Sequence, residues 1–120
     1  MVYTAESLAL ASLEVFVHTE SVRIPLIAIR AFLPENAVIT EVDVNSLPTD
    51  WQKQTAYPLM QSIGRQWLLE QQTPILKVPS AIISVEFNYI LNPQHPDLKL
   101  TLDPPMEFTP LLSHSGISKQ

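Results

Sequence analysis

The stretch Val2-Tyr3-Thr4-Ala5-Glu6-Ser7-Leu8-Ala9-Leu10-Ala11, continued by Leu13-Glu14-Val15, decides how the chain is read. Val2 and Tyr3 are strand formers and Thr4 is a good N-cap, so the end of a strand running into a helix from Ala5 to His18 is expected. Only Met1 precedes that strand end. The expectation is therefore a domain whose N-terminal edge is missing or is supplied by another segment. On a wheel of about 100° per residue, Ser7, Glu14 and His18 fall on one narrow stripe with Ala11 between them. Leu8, Leu10, Leu13, Val15, Phe16 and Val17 spread over the rest. This predicts a helix buried on most sides, with one polar line running down it.

Outward from that helix, Arg23 to Leu33 is a β-rich and nearly continuous apolar run, the pattern of a strand covered on both faces. Pro34 ends it. Ala37 to Val44 reads as a second, shorter strand, and Ser46-Leu47-Pro48 opens a loop around Trp51. A short helix is expected from Met60 to Gln71, then strands at Ile75 to Val78, Ala81 to Tyr89 and Leu98 to Leu102. The turn-rich Asn92-Pro93-Gln94-His95-Pro96-Asp97 separates the last two. Interleaved strands and two or three helices predict an α+β (mixed α/β) fold. One domain is expected over residues 1–108, followed by a flexible tail over residues 109–120.

Composition limits the function classes. At 120 residues the chain is one domain by length. It is 46% hydrophobic and only 16% charged, against about 25% charged in an average domain, which suggests that a partner chain covers part of the exterior. The net charge is −5 and the seven lysines and arginines are scattered, which argues against nucleic acid as a direct ligand. With no cysteine there is no disulfide, thiolate metal site or cysteine nucleophile. No apolar run reaches the roughly 18 residues of a membrane span, and the start lacks signal-peptide character. A cytoplasmic chain is the reading. Two glycines against eleven prolines leave no room for a dinucleotide or P-loop phosphate motif.

Four residues are candidates for chemistry. Glu14, on the polar line of a mostly buried helix, faces either a cleft or water. Ser80 follows Val78-Pro79 and precedes an apolar strand, where it is either part of a binding loop or an ordinary turn serine bonded to local backbone. Tyr3 stacks on a planar ligand or packs in the core. Asn88, like Asn92, flanks a strand end, where amides cap backbone groups. His18, His95 and His114 lack ligand spacing, so no metal site is expected. His95, inside its turn, reads as a hydrogen bonder that holds a loop.

Five segments taken together resemble the RES-domain family, the toxin halves of a bacterial toxin–antitoxin class. They are Val2 to Val15 with His18, Leu47-Pro48-Thr49-Asp50-Trp51, Ser62-Ile63-Gly64-Arg65-Gln66-Trp67-Leu68, Leu76-Lys77-Val78-Pro79-Ser80-Ala81, and Glu86-Phe87-Asn88-Tyr89-Ile90-Leu91-Asn92-Pro93-Gln94-His95-Pro96. Their order is the family's order. The resemblance implies a fold related to ADP-ribosyltransferase toxins, NAD+ as substrate, no metal, and a cognate helical DNA-binding antitoxin as partner. The family's Glu matches Glu14, its Ser matches Ser80, and Tyr3 matches a tyrosine that helps to form the NAD pocket; Ser80 and Asn88 are expected to contact NAD+ as well. The family's Arg should lie before Tyr3, where this sequence has no position for it. Arg65 and Lys77 do not match it. The resemblance therefore implies either a toxin that degrades NAD+, crippled by the absent arginine, or an inactive remnant that still binds its antitoxin. Outside the family, a small anion- or nucleotide-binding module is the remaining class.

Overall fold

The computed structural model describes the backbone of residues 1–19, 21–22, 26–108 and 112–113, and the side chains of residues 1–14, 26–53 and 55–107. In chain order the elements are β1 (Val2–Ala5), α1 (Leu8–Thr19), β2 (Ser21–Val22), β3 (Leu26–Ala28), β4 (Ala31–Phe32), β5 (Ile39–Glu41), α2 (Tyr57–Glu70), β6 (Ile75–Pro79), β7 (Phe87–Leu91), β8 (Thr101–Leu102), β9 (Met106–Phe108) and β10 (Leu112–Ser113). Short 3₁₀ turns at Val44–Ser46 and Gln54–Ala56 connect β5 to α2. This is the mixed α+β architecture expected.

Four strands make the central sheet, in the order β1-β7-β6-β5. β5 runs parallel to β6, and the other neighbours are antiparallel. Because side chains alternate across a strand, the register assigns every residue to a face. Tyr3, Ala5, Asn88, Ile90, Leu76, Val78 and Thr40 share one face. Val2, Thr4, Tyr89, Leu91, Phe87, Lys77, Ile75 and Glu41 share the other.

α2 covers the first face. Trp67, Leu76 and Ile90 form its buried core, with Val42, Leu68 and Val78 packed against it. The Trp67 indole Nε1 donates to Thr73 Oγ1 at 3.1 Å, which satisfies the one polar atom that this large ring brings inside. The helix starts with a proline in its first turn and ends at Gln71, whose φ of 53° is left-handed. His95 holds that end. Its Nδ1 accepts from the Asp97 amide at 3.0 Å and its Nε2 lies 2.9 Å from the Gln71 carbonyl, an arrangement that fits the neutral Nε2–H tautomer. The expected loop-holding histidine is what the structure contains.

The remaining strands pair two by two. Leu26 faces Phe108 and Ala28 faces Met106, β2 continues the same register against β10, and Ala31 faces Leu102. The register slips between these pairs, where Asp103, Pro104 and Pro105 oppose only Ile29 and Arg30. Over residues 26–32 and 101–108 the result is an antiparallel ribbon with a bulge.

Several expectations need correction. Thr4 lies inside β1 and caps nothing; Ser7 is the cap, and α1 starts at Leu8 rather than Ala5. Leu8 is 46% exposed, so the first turn is not covered on most sides. The run from Arg23 to Leu33 holds two short strands, with Ile27 71% and Ile29 53% exposed. The physical reason is that, among the described residues, its only strand partner is the opposite strand of the ribbon and no second layer covers it. Residues 81–86 form bends, and the strand begins at Phe87. Of the expected strand from Leu98, only Thr101–Leu102 pairs. Within residues 109–120 the described part is Leu112–Ser113, which forms β10; the rest of that expected tail lies outside the described residues.

Replacing Trp67 by Ala should cost about 3–5 kcal/mol of folding stability in urea titration, since it empties the centre of the core. Trp67→Phe keeps most of the volume and should cost clearly less, mainly the bond to Thr73 at roughly 1 kcal/mol.

Candidate functional site

The site is built where β1 turns into α1. Ser7 Oγ accepts from the Leu10 amide at 3.1 Å, which caps the helix, and donates to Glu86 Oε1 at 2.7 Å. One hydroxyl therefore joins the start of α1 to the loop before β7. Glu6 adds a second joint: its amide donates to the Phe87 carbonyl at 3.2 Å, and its own carboxylate accepts from the Phe87 amide.

Asn88 stands at the centre. In the register it lies opposite Ala5 on one side and Val78 on the other. Its Nδ2 donates to the Thr4 carbonyl at 3.1 Å and to Glu14 Oε1 and Oε2 at 2.9 and 3.2 Å. An amide nitrogen has two hydrogens, so one serves Thr4 and the other is shared by the carboxylate oxygens. Only the nitrogen of this side chain can face two acceptors, which fixes its orientation. Glu14 is half-buried, and its bond to the amide is charge-assisted. A carboxylate has about four lone-pair sites, so Glu14 keeps capacity to accept from ligand hydroxyls.

Ser80 lies two residues past Val78, and its amide donates to the Glu86 carbonyl at 2.9 Å, one step beyond the β6–β7 ladder. Its side chain is 1% exposed. Its Oγ accepts from the amides of Ile82 and Ile83 at 3.1 and 3.2 Å. That is the bonding of a turn serine, and it shapes the bend that delivers Glu86 to Ser7. Tyr3 is on the same sheet face as Asn88, one alternation along from Ala5, and is 68% exposed. It does not pack in the core.

The structure thus joins Glu14 to Asn88 directly, sets Ser80 at the adjoining strand end with its hydroxyl turned to backbone, and leaves Tyr3 open on the same face. Sequence reasoning set Ser7 on the polar line without giving it a role, and singled out neither Glu6 nor Glu86. Ser7 was open to discovery as the polar residue just before the apolar repeat. Glu86 had no local signal.

Two of the described cations are engaged elsewhere. Lys77 lies on the opposite face, with Nζ 4.1 Å from the Phe87 ring centroid and 3.6 Å from Glu41 Oε1. Arg65 is exposed on α2, and Arg30 sits 3.9 Å from Asp103 in the ribbon. A shallow concavity between α2 and β5, lined by Thr40, Val42, Ile63, Gln66, Trp67 and Glu70 among others, is also separate from the Glu14 cluster. Among the described residues no group of three or more His, Asp or Glu side chains is placed to hold a metal ion. No described helix is long and apolar enough to cross a membrane.

The RES domain family model matches residues 1–111. The chain belongs to the RES domain family. It is 40% identical over 106 residues to the Prs ADP-ribosylating toxin of Sphingobium sp. strain YBL2, an alignment covering 82% of this chain and 64% of that protein. It is 37% identical over 98 residues to a Toxin Res of Photorhabdus laumondii, covering 80% of this chain and 62% of the relative. A Toxin Res of Pseudomonas putida is 31% identical over 114 residues, with 92% and 76% covered. The chain spans a little under two thirds of the length of the first two relatives.

Replacing Ser80 by Ala should cost roughly 1 kcal/mol, the net worth of the bonds its hydroxyl accepts from the partly buried Ile82 and Ile83 amides. Thermal denaturation checks this, and hydrogen exchange at Ile82 and Ile83 should speed up in the same variant.

Proposed function

We propose that this RES-domain chain is a toxin that consumes NAD+ by breaking the bond between nicotinamide and ribose. The observation that carries the reading is the Glu14 carboxylate held by Asn88 on the sheet face that also presents Tyr3. Breaking the bond sends its electron pair to nicotinamide and leaves positive charge on the ribose carbon and ring oxygen, until water, phosphate or a protein side chain adds there. A carboxylate fixed beforehand stabilises such developing charge without reorganising. In this reading Glu14 accepts from a ribose hydroxyl, Asn88 holds Glu14 and borders the NAD+ site, and Tyr3 stacks on a ring. Ser80 supports the bend at the strand end, and its hydroxyl reaches the substrate only if the bend opens. The domain unit is residues 1–108. The setting is cytoplasmic, and the partner is a helical DNA-binding antitoxin.

One observation favours a second reading, a non-catalytic chain that keeps its antitoxin-binding role. Two phosphates need a cation, best a guanidinium in bidentate geometry. Among the described residues, Lys77 pairs with Glu41 on the opposite sheet face and Arg30 with Asp103 in the ribbon.

The two readings separate in one assay. With protein and NAD+ mixed at high concentration, proton NMR should show free nicotinamide accumulating. Glu14→Gln, which keeps the shape but not the charge, should slow this by about 10²–10³-fold. No nicotinamide from the folded protein would leave the second reading standing, and a stable complex with the antitoxin would then be its positive evidence.

A further inference from the structure

Among the described residues, side-chain bonds tie α1 and its cap to β7 and the residue before it at two places. Two turns into the helix, Glu14 meets Asn88. At the cap, the Ser7 hydroxyl donates to Glu86 Oε1 at 2.7 Å and accepts from the Leu10 amide at 3.1 Å. Glu86 and Asn88 are two residues apart, so alternation keeps them on one face, about 7 Å apart along the strand. Ser7 and Glu14 are seven residues apart, about 10 Å along the helix axis. A helix pinned at one point still swings and rolls about it. A second anchor two turns away removes most of that freedom.

Glu86 is itself held in place. Its amide donates to the Ile83 carbonyl at 2.9 Å, and its carbonyl accepts from the Ser80 amide at 2.9 Å. The Ser80 hydroxyl shapes the same bend by accepting from the Ile82 and Ile83 amides. Glu86 and Ser7 are both half-buried, and a hydroxyl bonded to a carboxylate makes a strong, charge-assisted contact. A hydroxyl has one hydrogen to give, so at Ser7 it is committed to Glu86.

We propose that Glu86 is a positioning residue for the cleavage of NAD+: through Ser7 it fixes the roll of α1 and so aims the Glu14 carboxylate. This role rests on the reading of Glu14 as the group that steadies the ribose. Glu86 acts as a hydrogen-bond acceptor of the right reach, not as a charge or a proton carrier. Two substitutions separate those properties. Glu86→Gln keeps an Oε1 acceptor at the same reach and removes the charge. Glu86→Asp keeps the charge and is one methylene short of Ser7.

Steady-state kinetics of nicotinamide release by the intact chain gives the first test. Glu86→Ala and Glu86→Asp should lower kcat about 10–100-fold with KM within about twofold, because a misaimed group slows the reaction without touching the substrate. Glu86→Gln should stay within about threefold of the unaltered chain. Adding Glu86→Ala to Glu14→Gln should cost less than about threefold more, since the effect of Glu86 passes through Glu14. The second test needs no turnover. In heteronuclear NMR without NAD+, Glu86→Ala should move the Asn88 side-chain amide signals toward those of a free asparagine, and Glu86→Gln should leave them in place, with circular dichroism alike in all three chains. If the unaltered chain releases no nicotinamide, the reading of Glu14 fails, and the Asn88 signals still decide whether Glu86 positions it. Signals unmoved by Glu86→Ala would overturn the proposal. So would activity kept by Glu86→Asp and lost in Glu86→Gln, or losses at Glu86 and Glu14 that multiply in full.

Discussion

One side-chain amide ties the structure together. Asn88 Nδ2 reaches the Thr4 carbonyl of β1 and the Glu14 carboxylate of α1 from a single position on β7. β1 is four residues long and lies at the edge of the sheet, so its pairing depends on few bonds. α1 follows it directly and carries Glu14 two turns in. Without the amide, a half-buried carboxylate would lose its partner and the helix would lose its polar link to the sheet. An unpaired charge in such a place is costly, which is why one neutral amide has such leverage.

The two faces of the sheet divide the charged chemistry between them. On the face that α2 covers, the central polar group is Glu14 with its amide. On the other, Lys77 lies against Phe87 and Tyr89 and pairs with Glu41. Alternation enforces this separation, since Lys77 and Val78 are adjacent and must point to opposite sides. The same rule sets Asn88 and Tyr89 apart. A cation that assists Glu14 therefore cannot come from Lys77 without disrupting β6. Around Glu14, the bends at 81–86 and the N-cap at Ser7 are joined through Glu86, so the strand end, the loop and the helix start form one connected frame.

Much of this was legible in the sequence where the signal is local. Glu14 stood out because one carboxylate among leucines and valines needs a reason to be there, and the contact with Asn88 supplies it. His95 was legible because Asn-Pro-Gln-His-Pro-Asp leaves an imidazole little to do but bond its own turn. The helix start was misplaced because Thr4 and Ser7 both satisfy the capping rule, and only the register of β1 against β7 decides between them. The bond from Ser7 to Glu86 spans 79 positions and leaves no periodic trace. The apolar run from Arg23 to Leu33 misled for a different reason. Periodicity reports that a strand is apolar, not which layer covers it, and here its partner among the described residues is a single proline-bearing strand.

The central claim is that Glu14 and Asn88 act on each other in the folded chain rather than merely standing close. A double-mutant cycle of Glu14→Ala and Asn88→Ala, read by urea denaturation, measures this directly. The account predicts that the two losses are not additive, with a coupling of about 1–2 kcal/mol. Losses that simply add would contradict it.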